Sequence, residues 1–157
     1  MTTTNDIQEM LMACIPEDMR ADGLVENGLI KLGVIDMCSA LGITNVEFKE
    51  ESTINDNGEE ETIYNITPDL TLFQQRLAGY FCYILYLEKL KLSLNQDAIN
   101  FSTLTFSIKG LEKRPEAIND SLYQTRRYLE DTIGRINGSS GIGVLGTAKM
   151  FGGVTNE

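Results

Sequence analysis

The sequence predicts a mainly α fold: a small helical bundle carrying one inserted β-hairpin and ending in an extended glycine-rich C-terminal tail. Three observations predict it. Apolar residues recur at helical spacing over most of the chain, the period falls to two between residues 44 and 66, and beyond Asn137-Gly138 isolated apolar side chains sit among glycines. The chain therefore divides into a body, residues 1–138, with the hairpin at 44–66, and a tail, residues 139–157. With 157 residues, 42% of them hydrophobic, the body can bury one core and roughly two-thirds of the surface its unfolded chain would expose.

A first helix is predicted from Asp6 to about Ile15, capped by Thr4 or Asn5, with Ile7, Met10, Leu11 and Cys14 on one face. A second, Leu24 to Leu41, presents Leu29, Leu32, Ile35, Met37, Cys38 and Leu41, and Gly42 closes it. In the hairpin, Val46 and Phe48 alternate with Glu47 and Lys49. After the Asn55-Asp56-Asn57-Gly58 turn, Thr62, Tyr64 and Ile66 share a face. Thr67-Pro68-Asp69 combines a capping hydroxyl, a proline suited to the first helical position and an acid for the first turn. It predicts a long helix to Leu92 or Leu94, apolar around most of its circumference, part of whose cover is expected from a neighbouring subunit. Asn95 to Gly110 reads as an extended segment. A last helix is predicted from Pro115 to Ile136, with Ile118, Leu122, Thr125, Leu129, Ile133 and Ile136 as its stripe and i,i+4 pairs of Arg126, Arg127 and Arg135 with acids on its outer side.

Composition removes the usual machinery of a small enzyme. There is no histidine, hence no side chain titrating near neutrality to act as general base or metal ligand. Cys14, Cys38 and Cys82 are three in number and far apart, which predicts free apolar thiols in a reducing compartment rather than disulfides or a zinc site. The N-terminus carries no basic stretch ahead of an apolar run. The longest such run, Leu77 to Leu87, has 11 residues against about 20 for a membrane span, so a soluble intracellular product is expected. The asparagines around Gly58 do not form a calcium loop, because Thr53 and Tyr64 would stand where the anchoring carboxylates belong. Gly141-Ile142-Gly143-Val144-Leu145-Gly146 fits G-x-G-x-x-G, but a helix precedes it where a dinucleotide site needs a strand. The sequence thus predicts no catalytic residue, no metal site and no cofactor.

Charge and the tail point instead to assembly. Residues 1–69 hold 15 acids against 3 bases, and residues 70–157 hold 8 acids against 10 bases. That balance disfavours sequence-specific nucleic-acid binding and suits head-to-tail contact between copies. The candidate intersubunit charges are Glu59, Glu60 and Glu61 on the hairpin, with Glu50 and Glu51 beside them, facing Lys109, Lys113, Arg114, Arg126 or Arg127 of a neighbour. The tail is too glycine-rich to order itself yet bears Val144, Leu145, Met150 and Phe151, the candidate partner-docking residues.

Two short helices, a long apolar helix opening at Pro68, the alternating Phe101-Ser102-Thr103-Leu104-Thr105-Phe106-Ser107-Ile108-Lys109-Gly110 segment, a final helix from Arg114-Pro115-Glu116 and an apolar tail together resemble the small head–tail connector, or neck adaptor, proteins of tailed bacteriophages. The resemblance covers most of residues 1–150 as a pattern, with the acidic hairpin as an insertion. It implies a virion structural protein, made in the host cytoplasm, whose subunits form a ring, usually of twelve, beneath the portal. Such a ring extends the DNA channel and offers a platform to the next neck or tail protein, and the tail engages the portal or a neighbouring subunit. The alternative is a small intracellular protein–protein interaction or regulatory module, without catalysis, that binds through hairpin or tail as a monomer or dimer.

Overall fold

The structure, a computed structural model, describes residues 1–21, 23–54, 57–101 and 114–139, the side chains of 95–101, 114 and 139 excepted. It is mainly helical, with a small antiparallel sheet. The elements run β1 (Thr2–Thr3), α1 (Thr4–Cys14), a single 3-10 turn (Glu17–Met19), α2 (Asn27–Ala40), β2 (Glu47–Ile54), β3 (Glu60–Thr67), α3 (Leu72–Phe101) and α4 (Arg114–Ser139).

Local chemistry places the ends of these elements differently from the spacing rules. α1 is capped by Thr3, whose hydroxyl accepts from the Asp6 N–H while the Asp6 carboxylate accepts from the Thr3 N–H at 2.7 Å, a reciprocal box that begins the helix two residues earlier than predicted. Thr4 serves elsewhere: fully buried, its Oγ1 accepts from the Tyr64 N–H at 3.1 Å and ties α1 to β3. α2 starts at Asn27 rather than Leu24 and closes through Gly42 at φ +69°, a left-handed position that costs glycine little.

Thr67-Pro68-Asp69 is not a helix start. Pro68 follows a cis peptide bond, and Asp69 Oδ1 accepts from the Thr2 hydroxyl at 2.6 Å, so the segment turns back to the N-terminal strand. α3 begins at Leu72 under a second reciprocal cap, in which Thr71 Oγ1 accepts from the Gln74 N–H and Gln74 Oε1 accepts from the Thr71 N–H. It then continues to Phe101, so residues 95–101 are helical rather than extended. No glycine or proline interrupts the chain between Gly79 and Phe101, so nothing there stops a helix already under way. The remainder of the predicted extended segment lies outside the described residues. α4 opens one residue before Pro115 and runs through Asn137-Gly138 to Ser139.

The hairpin forms with a continuous register, Glu47↔Thr67 through Ile54↔Glu60, and Gly58 at φ +81° lies in its turn. β1 adds a third strand through Thr2↔Ile66 and Thr3↔Asn65, in the order β1-β3-β2. Two residues are too short to leave a periodic signal, and this strand has none.

α3 is the central post, packed by α1, α2 and α4 of its own chain. Leu77, Ala78, Phe81, Cys82, Ile84, Tyr86 and Leu87 are all buried, while Leu72, Phe73 and Leu92 of the same helix are exposed. Two glycines set the approach. A Cβ on Gly33 of α2 would stand 2.9 Å from the Cys82 backbone nitrogen, and one on Gly79 of α3 would stand 2.8 Å from the Met10 Cβ of α1. The Gly33 contact fixes which face α2 buries: Leu29, Ile30, Val34, Met37 and Cys38 are inside, while Leu32 and Ile35, expected on the apolar face, are exposed. On α4 the predicted stripe holds, with Ile118, Leu122, Thr125, Leu129 and Ile133 buried and Ile136 packed beside them.

Gly33→Ala should destabilise the fold by about 1–3 kcal/mol, because the methyl meets backbone that cannot retreat. Gly134→Ala, with open space around the added Cβ, should stabilise by up to about 1 kcal/mol through helix propensity. Urea titration of the two variants reads the contrast directly. In the same assay Phe81→Ala, a truncation in the buried centre of α3, should cost about 3–5 kcal/mol.

Candidate interaction surface

The surface is organised by a ribbon standing on a helical body. Ile66 of β3 and its partner Thr2 of β1 are both buried, and the Thr2 hydroxyl donates to Asp69 while accepting from the Leu70 N–H (3.0 Å) and Gln75 Nε2 (3.2 Å). That hydroxyl and the Met1 ammonium, 3.4 Å from Asp69 Oδ2, hold the Asp69 carboxyl below the usual carboxylate range. Lys31 of α2 secures the other side. Its Nζ lies 3.1 Å from the Tyr64 ring centroid and 5.8 Å from that of Phe48, a cation bound over aromatic faces of both hairpin strands. Spacing rules overlook Lys31 as they overlook Thr2, although Lys31 is the only base between Arg20 and Lys49 in the sequence.

Above this base the ribbon leaves the body. Glu50, Glu51, Glu59, Glu60 and Glu61 are exposed, as is Ile54 at 77%. The predicted basic partners divide. Arg127 is exposed on α4, whereas Arg126 forms an ion pair at 2.5 Å with Glu88 of α3 and joins the two helices rather than facing outward toward Glu130. Position 126 borders the buried stripe of Thr125 and Leu129, so the guanidinium reaches across the helix seam. Arg114 opens α4, and its side chain, like Lys109, Lys113 and the tail residues Val144, Leu145, Met150 and Phe151, lies outside the described residues.

Two open grooves flank α3. One, about 560 Å³, runs between α2 and α3 over Leu29, Leu32, Leu85 and Leu92, with the Lys89–Glu26 ion pair at its rim. The other, about 460 Å³, lies between α3 and α4 over Leu92, Leu122 and Tyr123, where Lys91 Nζ donates to Asn119 Oδ1 at 2.8 Å. Leu32, Leu92 and Tyr123 are 55%, 62% and 65% exposed, and together they make an apolar strip across three helices of the kind that marks contact surfaces.

The titratable groups of the interior are quiet. Burial pushes the Cys82 thiol up to about 12 and raises those of Cys14 and Cys38, so all three are held protonated near neutrality. Among the described residues no three His, Cys, Asp or Glu side chains cluster to hold a metal ion, and no helix is long and apolar enough to cross a membrane. Comparison with protein-family models, with curated proteins and with solved structures finds no match in any of the three.

Lys31→Met, which keeps the stem and removes the charge, should weaken the seating of the hairpin by about 0.5–1 kcal/mol, read as faster hydrogen exchange at the amides of Glu60–Thr67. Asp36 provides a pH test. Its carboxyl is raised first by burial and then by the nearby Glu88 charge. The folded state therefore favours the protonated acid, and the stability this confers is present below the unfolded pKa of about 3.9 and lost as pH rises through the folded value. Asp36→Asn should stabilise the protein at neutral pH and lose that advantage below about pH 4, as followed by thermal melts across the range.

Proposed function

We propose that this chain is a non-catalytic assembly subunit, a head–tail connector in the neck of a tailed bacteriophage, made in the host cytoplasm and built into a homo-oligomeric ring, of twelve subunits in the family it resembles, beneath the portal. The observation that carries the reading is the acidic ribbon, anchored at its base on a helical body and exposed beyond it, an arrangement that suits contact with another molecule. The apolar strip of Leu32, Leu92 and Tyr123 supports it as a surface for lateral packing. In this scheme Glu59, Glu60 and Glu61 meet Arg127 and the other bases of a neighbour or line the lumen through which DNA passes. Residues 139–157 reach the portal, and the opposite rim receives the next neck or tail protein.

Light scattering on the purified chain, alone and with portal, tests this. A mass many times 17.5 kDa is expected, and a monomer or dimer under both conditions would favour the smaller interaction module instead. Replacing Glu59, Glu60 and Glu61 with Gln, or raising salt well above 0.1 M where screening acts over about 10 Å, should shift the assembly toward monomer if the ribbon contacts a neighbour. Truncation after Ser139, where α4 ends, should leave the monomer folded and remove portal binding. Unchanged binding by the truncated chain would exclude the tail as the docking segment.

A further inference from the structure

We infer that the groove between α3 and α4 is the docking site of this chain's own tail, which lays Met150 and Phe151 over Leu92, Leu122 and Tyr123. The groove has a volume of about 460 Å³, and Leu92 and Tyr123 in it are 62% and 65% exposed. Apolar surface of this size gains free energy from any apolar cover. The polar side chains beside it are already engaged: Arg126 pairs with Glu88, and Lys91 Nζ donates to Asn119 Oδ1 at 2.8 Å. An occupant is therefore asked for apolar area rather than charge. Between residues 139 and 151 the tail carries one charged side chain, Lys149, among Ile142, Val144, Leu145, Met150 and Phe151, and a thioether beside an aromatic ring suits an irregular groove with a tyrosine in it.

Reach decides which tail residues arrive. α4 ends at Ser139, and Tyr123 lies about 24 Å back along the same helix at 1.5 Å per residue. Val144 and Leu145 follow Ser139 so closely that full extension carries them at most about 20 Å, short of Tyr123. Met150 and Phe151 can extend to about 36–40 Å. The groove is thus open to the second apolar pair of the tail and closed to the first.

The tether also selects this occupant over a separate molecule. A glycine-rich segment as long as that from Ser139 to Met150 has a typical end-to-end distance of about 18 Å, so the span to the groove falls between its typical and its full length. A tether matched to its span in this way gives an effective concentration in the millimolar range, well above that of a second copy in micromolar solution. Glycines on either side of the pair, Gly146 and Gly152-Gly153, add no side chain to clash where the backbone passes close to the helices. The docking needs no ring and no second subunit. Within the assembly reading, a portal that takes the tail uncovers the apolar strip, and lateral packing follows portal contact; the docking itself does not rest on that reading.

Oxidation of the full-length protein by hydrogen peroxide, followed residue by residue in a mass spectrometer, tests the inference. Met1, 82% exposed, is the internal standard, since methionine oxidation follows access to the sulfur. Met150 should form its sulfoxide severalfold more slowly than Met1. The Leu92→Asp, Tyr123→Asp variant, altered at exposed positions of the groove, should bring Met150 to the rate of Met1. Phe73→Asp, at an exposed position outside the groove, should leave Met150 protected, as should Val144→Asp with Leu145→Asp. Isotope-labelled parent chain mixed with an excess of unlabelled groove variant should keep its Met150 protected. Loss of protection in that mixture would assign the cover to a neighbour's groove and overturn the proposal, as would equal oxidation of Met150 and Met1 in the parent or protection that survives the groove variant. Light scattering on the same samples reports oligomer mass separately, so failure here is distinguishable from failure of the ring.

Discussion

The constraint on which the rest of the structure depends is the convergence of three helices within one turn of α3. Gly79 admits α1 at Met10 and, three residues on, Cys82 receives Gly33 of α2. Both contacts bring backbone against backbone, so neither helix can rotate without a collision, and close packing of this kind tolerates little volume change. That fixes the rotation of α2, which then buries Ile30, Val34 and Met37 and turns Leu32 and Ile35 to the surface. α4 closes the remaining side, registered on α3 by the Tyr80–Tyr128 ring contact at 4.8 Å, the Arg126–Glu88 pair and the Lys91–Asn119 hydrogen bond.

The sheet is attached to this body by polar groups as well as by the buried Ile66 and by Phe48 packed against the core. The Thr2 hydroxyl gathers Asp69, Leu70 and Gln75, Thr4 takes the Tyr64 N–H, and Asn27 Nδ2 donates to the Thr62 carbonyl at 3.0 Å. Each bond satisfies a group that the fold removes from water, where an unmet donor or acceptor costs about 1–3 kcal/mol. Tyr86 performs the same service beside the 3-10 turn, donating to the Met19 carbonyl and accepting from the Ala21 N–H. The ribbon is thus fastened at its proximal half and left to solvent at its distal half, and its orientation is set by α1, α2 and the start of α3 together.

Most of this was legible in the sequence where burial has a period. The stripe of α4, the buried run Leu77, Phe81 and Ile84, and the alternation of the hairpin all followed from spacing. What spacing missed was decided by contacts between distant residues. Thr67-Pro68-Asp69 has every local mark of a helix start, yet Thr2 lies within reach of Asp69 and Leu70 and the chain uses the acid there. The face of α2 was misassigned for a similar reason: Leu32 and Ile35 are as apolar as Leu29, and only the close passage of Cys82 over Gly33 excludes them from the core. Of the candidate site, the exposure of the hairpin glutamates was legible because three successive acids cannot share a dry interior. The engagement of Arg126 was not, since its partner Glu88 stands on another helix.

That engagement also relocates the polarity of the molecule. Counted by halves, the chain reads as an acidic first part and a weakly basic second part. In the fold, two bases of the second part, Lys89 and Arg126, are held in ion pairs that join α3 to its neighbours, and such local pairs have little field beyond their own surroundings. The hairpin differs. Between residues 47 and 61 the chain has seven acids against Lys49 alone, carried on a ribbon whose distal half stands clear of the helices. A partner approaching from more than about 10 Å, a Debye length at 0.1 M salt, therefore meets its densest negative charge on one projection, with −6 of the net −10 between residues 47 and 61 and −4 spread over the rest of the chain. Complementary charge on such a partner steers encounter and orientation more than it adds affinity. The ribbon sets the direction of approach, and the apolar strip of Leu32, Leu92 and Tyr123 supplies surface that gains from losing water once contact is made.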